Sequence, residues 1–259
     1  MTEEQPAPEN PEQIAPGIAL AYTSQPELEQ GRHRRRKGGH DPMAQLRQWR
    51  PRTRLGRMVR NGEITTIEKA METRLPIREV EIIDALLPNL EDEVINVNMI
   101  QRMTDSGRRV RFNVMAAVGN SNGFVGLGMC KGKEVAATIR KAIDTAKLNV
   151  IPVVRGNGSW ESGVGPGNSV PFKIQGRAGS TRVTLMPAPA GKGLVIGDTG
   201  KTVLRLAGIT DIYSRTAGQT RTNINFAQAT YNALKNLNKS KISADQRRRL
   251  YMTDGRVSE

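Results

Sequence analysis

The sequence is short of the residues that most enzyme chemistry uses. It has one cysteine, Cys130, and two histidines, His33 and His40, in 259 residues. A single thiol forms no internal disulfide, which fits a reducing, cytosolic compartment. These three soft ligands are too few and too scattered for zinc. Both histidines fall in the N-terminal tail, so no Ser, His and Asp set can be assembled in a pocket. Aromatic residues make up 4%; the core must be aliphatic and alanine-rich, and wide aromatic stacking on single-stranded bases is not expected. No stretch approaches the roughly 18 consecutive apolar residues of a membrane helix, and the first residues are acidic where a secretory signal is basic and then apolar. The expectation is a soluble cytosolic protein with no catalytic residues, no metal and no cofactor.

What is abundant is positive charge, at +14 net with a pI of about 10.4. A partner with dense phosphate charge suits it, because each neutralised phosphate releases counterions. The charge is unevenly placed. Residues 1–30 carry glutamates and no Lys or Arg, the composition of a disordered acidic tail. Residues 32–60 hold eleven Lys and Arg against Asp41 alone, through Arg34, Arg35, Arg36, Lys37, Arg50, Arg52, Arg54, Arg57 and Arg60. Such a block repels itself unless something anionic neutralises it. Residues 63–98 turn acidic, which argues for a face toward water or protein, and residues 99–234 are basic again.

The hydrophobic pattern gives the elements. Asp41 and Pro42 open a short helix, Thr65 and Glu68 have capping-box spacing for a second, and a third covers about Arg78 to Leu87, stopped by Pro88. From Glu93 the period changes to two. Val110, Phe112, Val114, Ala116 and Val118 point one way and Arg109, Arg111 and Asn113 the other, so one face is expected to be core and the other cationic. The segment Gly119 to Gly123, with Asn120 and Asn122, is a hairpin signal, and a helix follows from Glu134. The second unit begins with the apolar run Val150 to Val154, and after a Gly-rich loop holding Trp160 come strands near Val170 to Gln175 and Thr181 to Met186. A helix from about Thr199 ends at Gly208; a strand, Ile209 to Tyr213, and a helix, about Asn223 to Leu237, complete the order. The fold class is α+β, in two small domains: a βββα domain, then a βββαβα domain, with a helical N-terminal extension and disordered tails. The expected boundaries are 1–40 tail, 41–92 extension, 93–155 first domain, 156–240 second domain and 241–259 basic C-terminal tail.

Gly197-Asp198-Thr199-Gly200-Lys201-Thr202 imitates the end of a phosphate-binding loop, but the glycine needed five positions before Gly200 is Val195. A nucleotide hydrolase using Lys201 is therefore a remote alternative. The RNA-binding candidates are Arg50, Arg52, Arg54, Arg57 and Arg60; Arg102, Arg108, Arg109 and Arg111 around the first turn; Asn120 and Asn122, whose neighbouring glycines allow close backbone approach; and Lys131 and Lys133 before a helix start. A free double-stranded-RNA-binding module is the second alternative.

The span from Gln101 to Val135, reading QRMTDSGRRVRFNVMAAVGNSNGFVGLGMCKGKEV, resembles the first-domain signature of the small-subunit ribosomal protein five family (universal S5 family). Pro187-Ala188-Pro189-Ala190-Gly191-Lys192-Gly193 and Leu206-Ala207-Gly208-Ile209 match its second domain, and AKLNVIPVVRG resembles the archaeal and eukaryotic branch. The resemblance implies a double-stranded-RNA-binding-like first domain and an archaeal-type, non-enzymatic role in the cytoplasmic small subunit. Members bind small-subunit ribosomal RNA, touch neighbouring proteins (four and eight, with three as a further candidate) and lie near the messenger-RNA entry path. They influence assembly and decoding accuracy. The turn from Met103 to Arg109 would face RNA.

Overall fold

The computed structural model describes residues 49–160 and 167–255. The acidic tail, the Arg34 to Lys37 run and the helix expected at Asp41 and Pro42 lie outside them.

Among the described residues three short helices come first, α1 (Arg54–Arg60), α2 (Ile67–Glu72) and α3 (Val80–Leu86). Helices this short are not stable alone and depend on packing. Leu55, Ile64, Ala70 and Ile82 form their own cluster, and Ile67, Ile83 and Leu87 reach Phe124 and Val150 of the next domain. The capping box read at Thr65 and Glu68 does not form. The N-cap of α2 is Thr66, without a side-chain bond, and burial of Ile67 and Ala70 holds the helix instead.

The first domain contains β1 (Glu91–Thr104), β2 (Gly107–Gly119), β3 (Phe124–Gly132), α4 (Val135–Leu148) and β4 (Ile151–Pro152), with β5 (Val154–Arg155) leading out. The sheet runs β1-β2-β3-β4, all antiparallel. On one face Val114 and Ala116 pack against Ala142 of α4, flanked by Ile139 and Ile143. The helix rests directly on β3: a Cβ at Gly128 would collide with the backbone of Ala142 and Ala146. An ion pair of 2.6 Å between Lys147 and Asp84 ties α4 to α3.

The second domain is β6 (Ile174–Ala178), β7 (Thr181–Pro187), β8 (Leu194–Val195), α5 (Asp198–Leu206), β9 (Ile212–Ala217) and α6 (Asn223–Lys239), a βββαβα order whose third strand, β8, the sequence pattern did not mark, while the run from Val150 gives β4 to the first sheet. Its sheet runs β6-β7-β9-β8, with β8 parallel to β9. Two strands begin later than the sequence pattern suggests. Pro171 has no N–H to offer a ladder, so β6 waits until Ile174. The amides of Thr210 and Asp211 donate to Asn168 O, at 3.0 and 3.2 Å, which delays β9 to Ile212.

The two domains share a core. Met115 and Ala117 of β2, with Val125 and Leu127 of β3, belong to one cluster with Val183, Leu185, Leu204, Phe226 and Leu234. The Tyr231 hydroxyl on α6 donates to Asn149 O, at 2.6 Å, across the same junction. Residues 244–255, expected as part of a tail, are folded. After a capping box between Ser243 and Gln246, α7 (Ala244–Arg249) leads to β10 (Thr253–Asp254), which pairs antiparallel with β5. The sequence pattern marked the basic residues here but not the strand partner.

Candidate nucleic-acid interface

Strand β2 pairs with β3 only from Phe112 onward. Beyond that point Gly107 to Arg111 pair with Ile100 to Thr104 alone, so the end of β1 and the start of β2 form a two-stranded ribbon past the sheet. Its register sets Arg102 opposite Arg109, Met103 opposite Arg108 and Ile100 opposite Arg111, while Asn113 faces Lys131. Facing residues, and residues two apart on a strand, share a face. Arg102, Arg109, Arg111 and Lys131 therefore lie on one face. Arg108 lies on the other, with Met103, Val110 and Met99. All five cations are exposed.

This placement corrects the expectation that the arginine-bearing strand has a buried opposite face. That holds along Val114 to Val118, under α4. At the arginines the apolar face is open: Met99, Met103 and Val110 are 64%, 71% and 39% exposed. Meanwhile the face carrying Arg109 and Arg111 continues into Asn113, Met115 and Ala117, all buried, the last two in the core shared with the second domain. The sheet is covered on both faces at its inner end and on neither along the ribbon.

Asn120 and Asn122 each make hydrogen bonds within the protein. Asn120 Oδ1 accepts the amides of Asn122 and Phe124, at 2.9 and 3.0 Å, closing the hairpin. Asn122 Oδ1 accepts 2.7 Å from the guanidinium of Arg155. These bonds hold the turn and the junction, and both asparagines remain part-exposed. Arg155, which sequence reasoning missed, is 7% exposed and also donates to Gly208 O and Gly255 O, at 3.3 and 3.1 Å. Its partners are neutral, so burial pulls its pKa down. It fastens the first-domain hairpin, the end of α5 and the C-terminal strand together.

Besides the buried Leu55, a carboxylate anchors the basic segment before α2. Glu79 Oε1 accepts the amides of Arg52 and Thr53, at 2.9 and 2.6 Å, and Oε2 accepts Trp49 Nε1 at 2.9 Å. Partial burial raises the pKa of this carboxyl, but those hydrogen bonds outweigh it and hold the group below its ordinary value. Thr53 then caps α1 by accepting Gly56 N at 3.1 Å. Arg50, Arg52, Arg54, Arg57 and Arg60 are all exposed along this pinned segment. Lys133 is exposed between the end of β3 and Glu134, the N-cap of α4.

The phosphate-loop look-alike opens α5. Lys201 Nζ pairs with Asp198 Oδ1 at 3.0 Å, and Thr202 Oγ1 donates to Glu93 Oε1 at 3.1 Å. The lysine and hydroxyl that a nucleotide would need are turned to acidic neighbours. Among the described residues no group of His, Cys, Asp and Glu could hold a metal, and no helix is long and apolar enough to cross a membrane.

A βββα domain with a cationic ribbon, joined through a shared core to a βββαβα domain, makes a two-domain α+β scaffold. The family model described as Ribosomal protein S5, N-terminal domain, matches residues 90–169, and that for Ribosomal protein S5, C-terminal domain, matches residues 176–248. The chain is 58% identical over 198 residues to small ribosomal subunit protein uS5 of Methanothermobacter thermautotrophicus, covering 76% of this chain and 92% of that one. It is 51% identical over 210 residues to the protein of the same name from Methanocaldococcus jannaschii, covering 81% and 97%. The chain belongs to the ribosomal protein S5 family, and is a structural protein rather than an enzyme.

Proposed function

We propose that the chain is a structural component of the archaeal small ribosomal subunit, in the cytoplasm, that binds ribosomal RNA near the messenger-RNA entry path and supports subunit assembly and decoding accuracy. The observation that carries this reading is the ribbon. It extends past the packed sheet, carries Arg102, Arg108, Arg109 and Arg111 against Asp105 alone, and exposes both faces. Arginines at fixed register on a strand pair position phosphates, and counterion release supplies most of the affinity. Lys131 extends the cationic face toward the sheet; Lys133 and the segment from Arg50 to Arg60 add further phosphate contacts. Asn120 and Asn122 act indirectly, by holding the hairpin and the domain junction.

Neighbouring small-subunit proteins, of which four and eight are the first candidates and three the next, would meet the acidic and apolar surfaces that RNA does not. The helical extension, with exposed Glu63, Glu68 and Glu72, is suited to such a contact. Sedimentation of a cell extract tests the assignment: the protein should travel with small subunits, and a chain left at the top of the gradient would instead be a free RNA-binding module. Binding to small-subunit RNA should weaken steeply between 50 and roughly 200 mM salt. Flat affinity over that range would remove the electrostatic mechanism.

A further inference from the structure

Among the described residues two aromatic side chains are largely exposed, Trp160 at 91% and Tyr251 at 43%. They are far apart in sequence, yet the backbone joins their segments: Asn157 N donates to Leu250 O at 2.8 Å. Trp160 lies three residues beyond Asn157, within a reach of about 10 Å, and Tyr251 directly follows Leu250.

The base beneath Trp160 is pinned. Gly156 and Ser169 exchange two backbone hydrogen bonds, at 2.9 and 3.3 Å, and a Cβ at Gly158 would collide with Pro171 O. Trp160 is thus presented outward by a fixed stem. Tyr251 takes φ of 46° just after α7. Glycine is the ordinary choice for a left-handed residue at a helix end; a tyrosine there accepts a steric cost and gains an outward ring. Beside it, Arg248 and Arg249 are exposed and have no ion pair among the described residues, whereas Arg247 is neutralised by Asp254 at 2.6 Å.

We propose that Trp160, Tyr251, Arg248 and Arg249 form a second RNA contact, separate from the ribbon, that takes unpaired nucleotides by stacking on the two rings and binding phosphate with the two arginines. The idea rests on the RNA-binding reading above. Two aromatics beside two unpaired arginines match the chemistry by which splayed-out bases are held, since every base offers a π face and every linkage a charge. A protein partner would need carboxylates at the two arginines as well as a pocket for the ring, whereas RNA supplies a phosphate and a stacking face with every nucleotide.

The test is titration of small-subunit ribosomal RNA with the full chain at one salt concentration. The W160A/Y251A double variant should bind about tenfold or more weakly, and the W160F/Y251F variant should stay near the parent. Thermal unfolding of both should match the parent, because the rings are exposed. Arg109→Glu serves as the ribbon control. If R109E weakens binding and W160A/Y251A does not, the second contact is wrong and the ribbon reading stands; if the parent chain itself fails to bind this RNA, the functional reading falls and takes the second contact with it. Photo-crosslinking of intact small subunits supplies the independent check. Nucleotide adducts on Trp160 or Tyr251 are expected, and adducts confined to the ribbon, or links to a protein at these two residues, would overturn the proposal.

Discussion

Arg102 on β1 stands directly opposite Arg109 on β2, so two guanidinium groups share one rung of the ribbon. Like charges at that position repel, and the exposed setting screens the repulsion without removing it. The pair is a cost in the free protein that an anion relieves.

Opposite signs for stability and binding should follow. Arg109→Gln should raise the unfolding free energy of the RNA-free protein by about 0.5 kcal/mol or less and weaken RNA binding. Arg109→Glu should weaken binding more than Glu91→Lys does, since Glu91 lies at the other end of β1. Urea melts and RNA titration read the two effects, and a destabilised R109Q variant would contradict the like-charge account.

The Glu79 anchor makes the entry to α1 acid-sensitive. Its folded pKa lies below the usual value of 4.5, so its contribution is fully present above that value and is lost as pH falls through the lowered one. Amide exchange at Arg52 and Thr53, taken relative to the unfolded chain at the same pH, should therefore quicken below about pH 4.5. In Glu79→Gln it should already be faster at neutral pH, with that acid step gone.

A side chain at Gly128 should separate α4 from β3. Gly128→Val forces a branched group into the backbone of Ala142 and Ala146, and overpacking of this kind costs about 3 kcal/mol. Thermal unfolding should show a fall of ten degrees or so. An unchanged midpoint would mean that the helix does not rest on the strand.

Tyr231→Phe removes the bond to Asn149 O and should cost about 1 kcal/mol. Burial pushes the Tyr231 hydroxyl up to about 12 from its ordinary 10.0. Between those values the folded state holds a proton that the unfolded state has released, so this contribution is whole below pH 10 and declines as pH rises toward 12. The variant should lack that alkaline component in its stability profile.

Sequence periodicity reported directions well and coverings poorly. Alternation in β2 showed which side chains point together, and α4 and α6 were visible from their apolar spacing. That spacing does not say what lies on each side, so the open apolar face at Met103 and Val110 and the doubly buried stretch from Val114 to Val118 needed the structure. The roles of Glu79, Arg155 and Asn122 depend on partners 26 to 100 residues away, and no local signal marks those contacts. The return of β10 to β5 was hidden for the same reason. The register shift between Val94 and Asn96 leaves no mark in a polar, exposed strand start.

The shared core also imposes a timetable on synthesis. Met115, Ala117, Val125 and Leu127 emerge early, whereas Phe226, Leu234 and Leu237, which help to enclose them, follow roughly 100 to 110 residues after Leu127. At ~5–20 residues per second, the inner face of the first sheet stays wet for roughly 5 to 20 seconds in each nascent chain. During that interval the half-made protein offers a sticky surface to every neighbour, and a pause in translation between the two domains would lengthen its exposure.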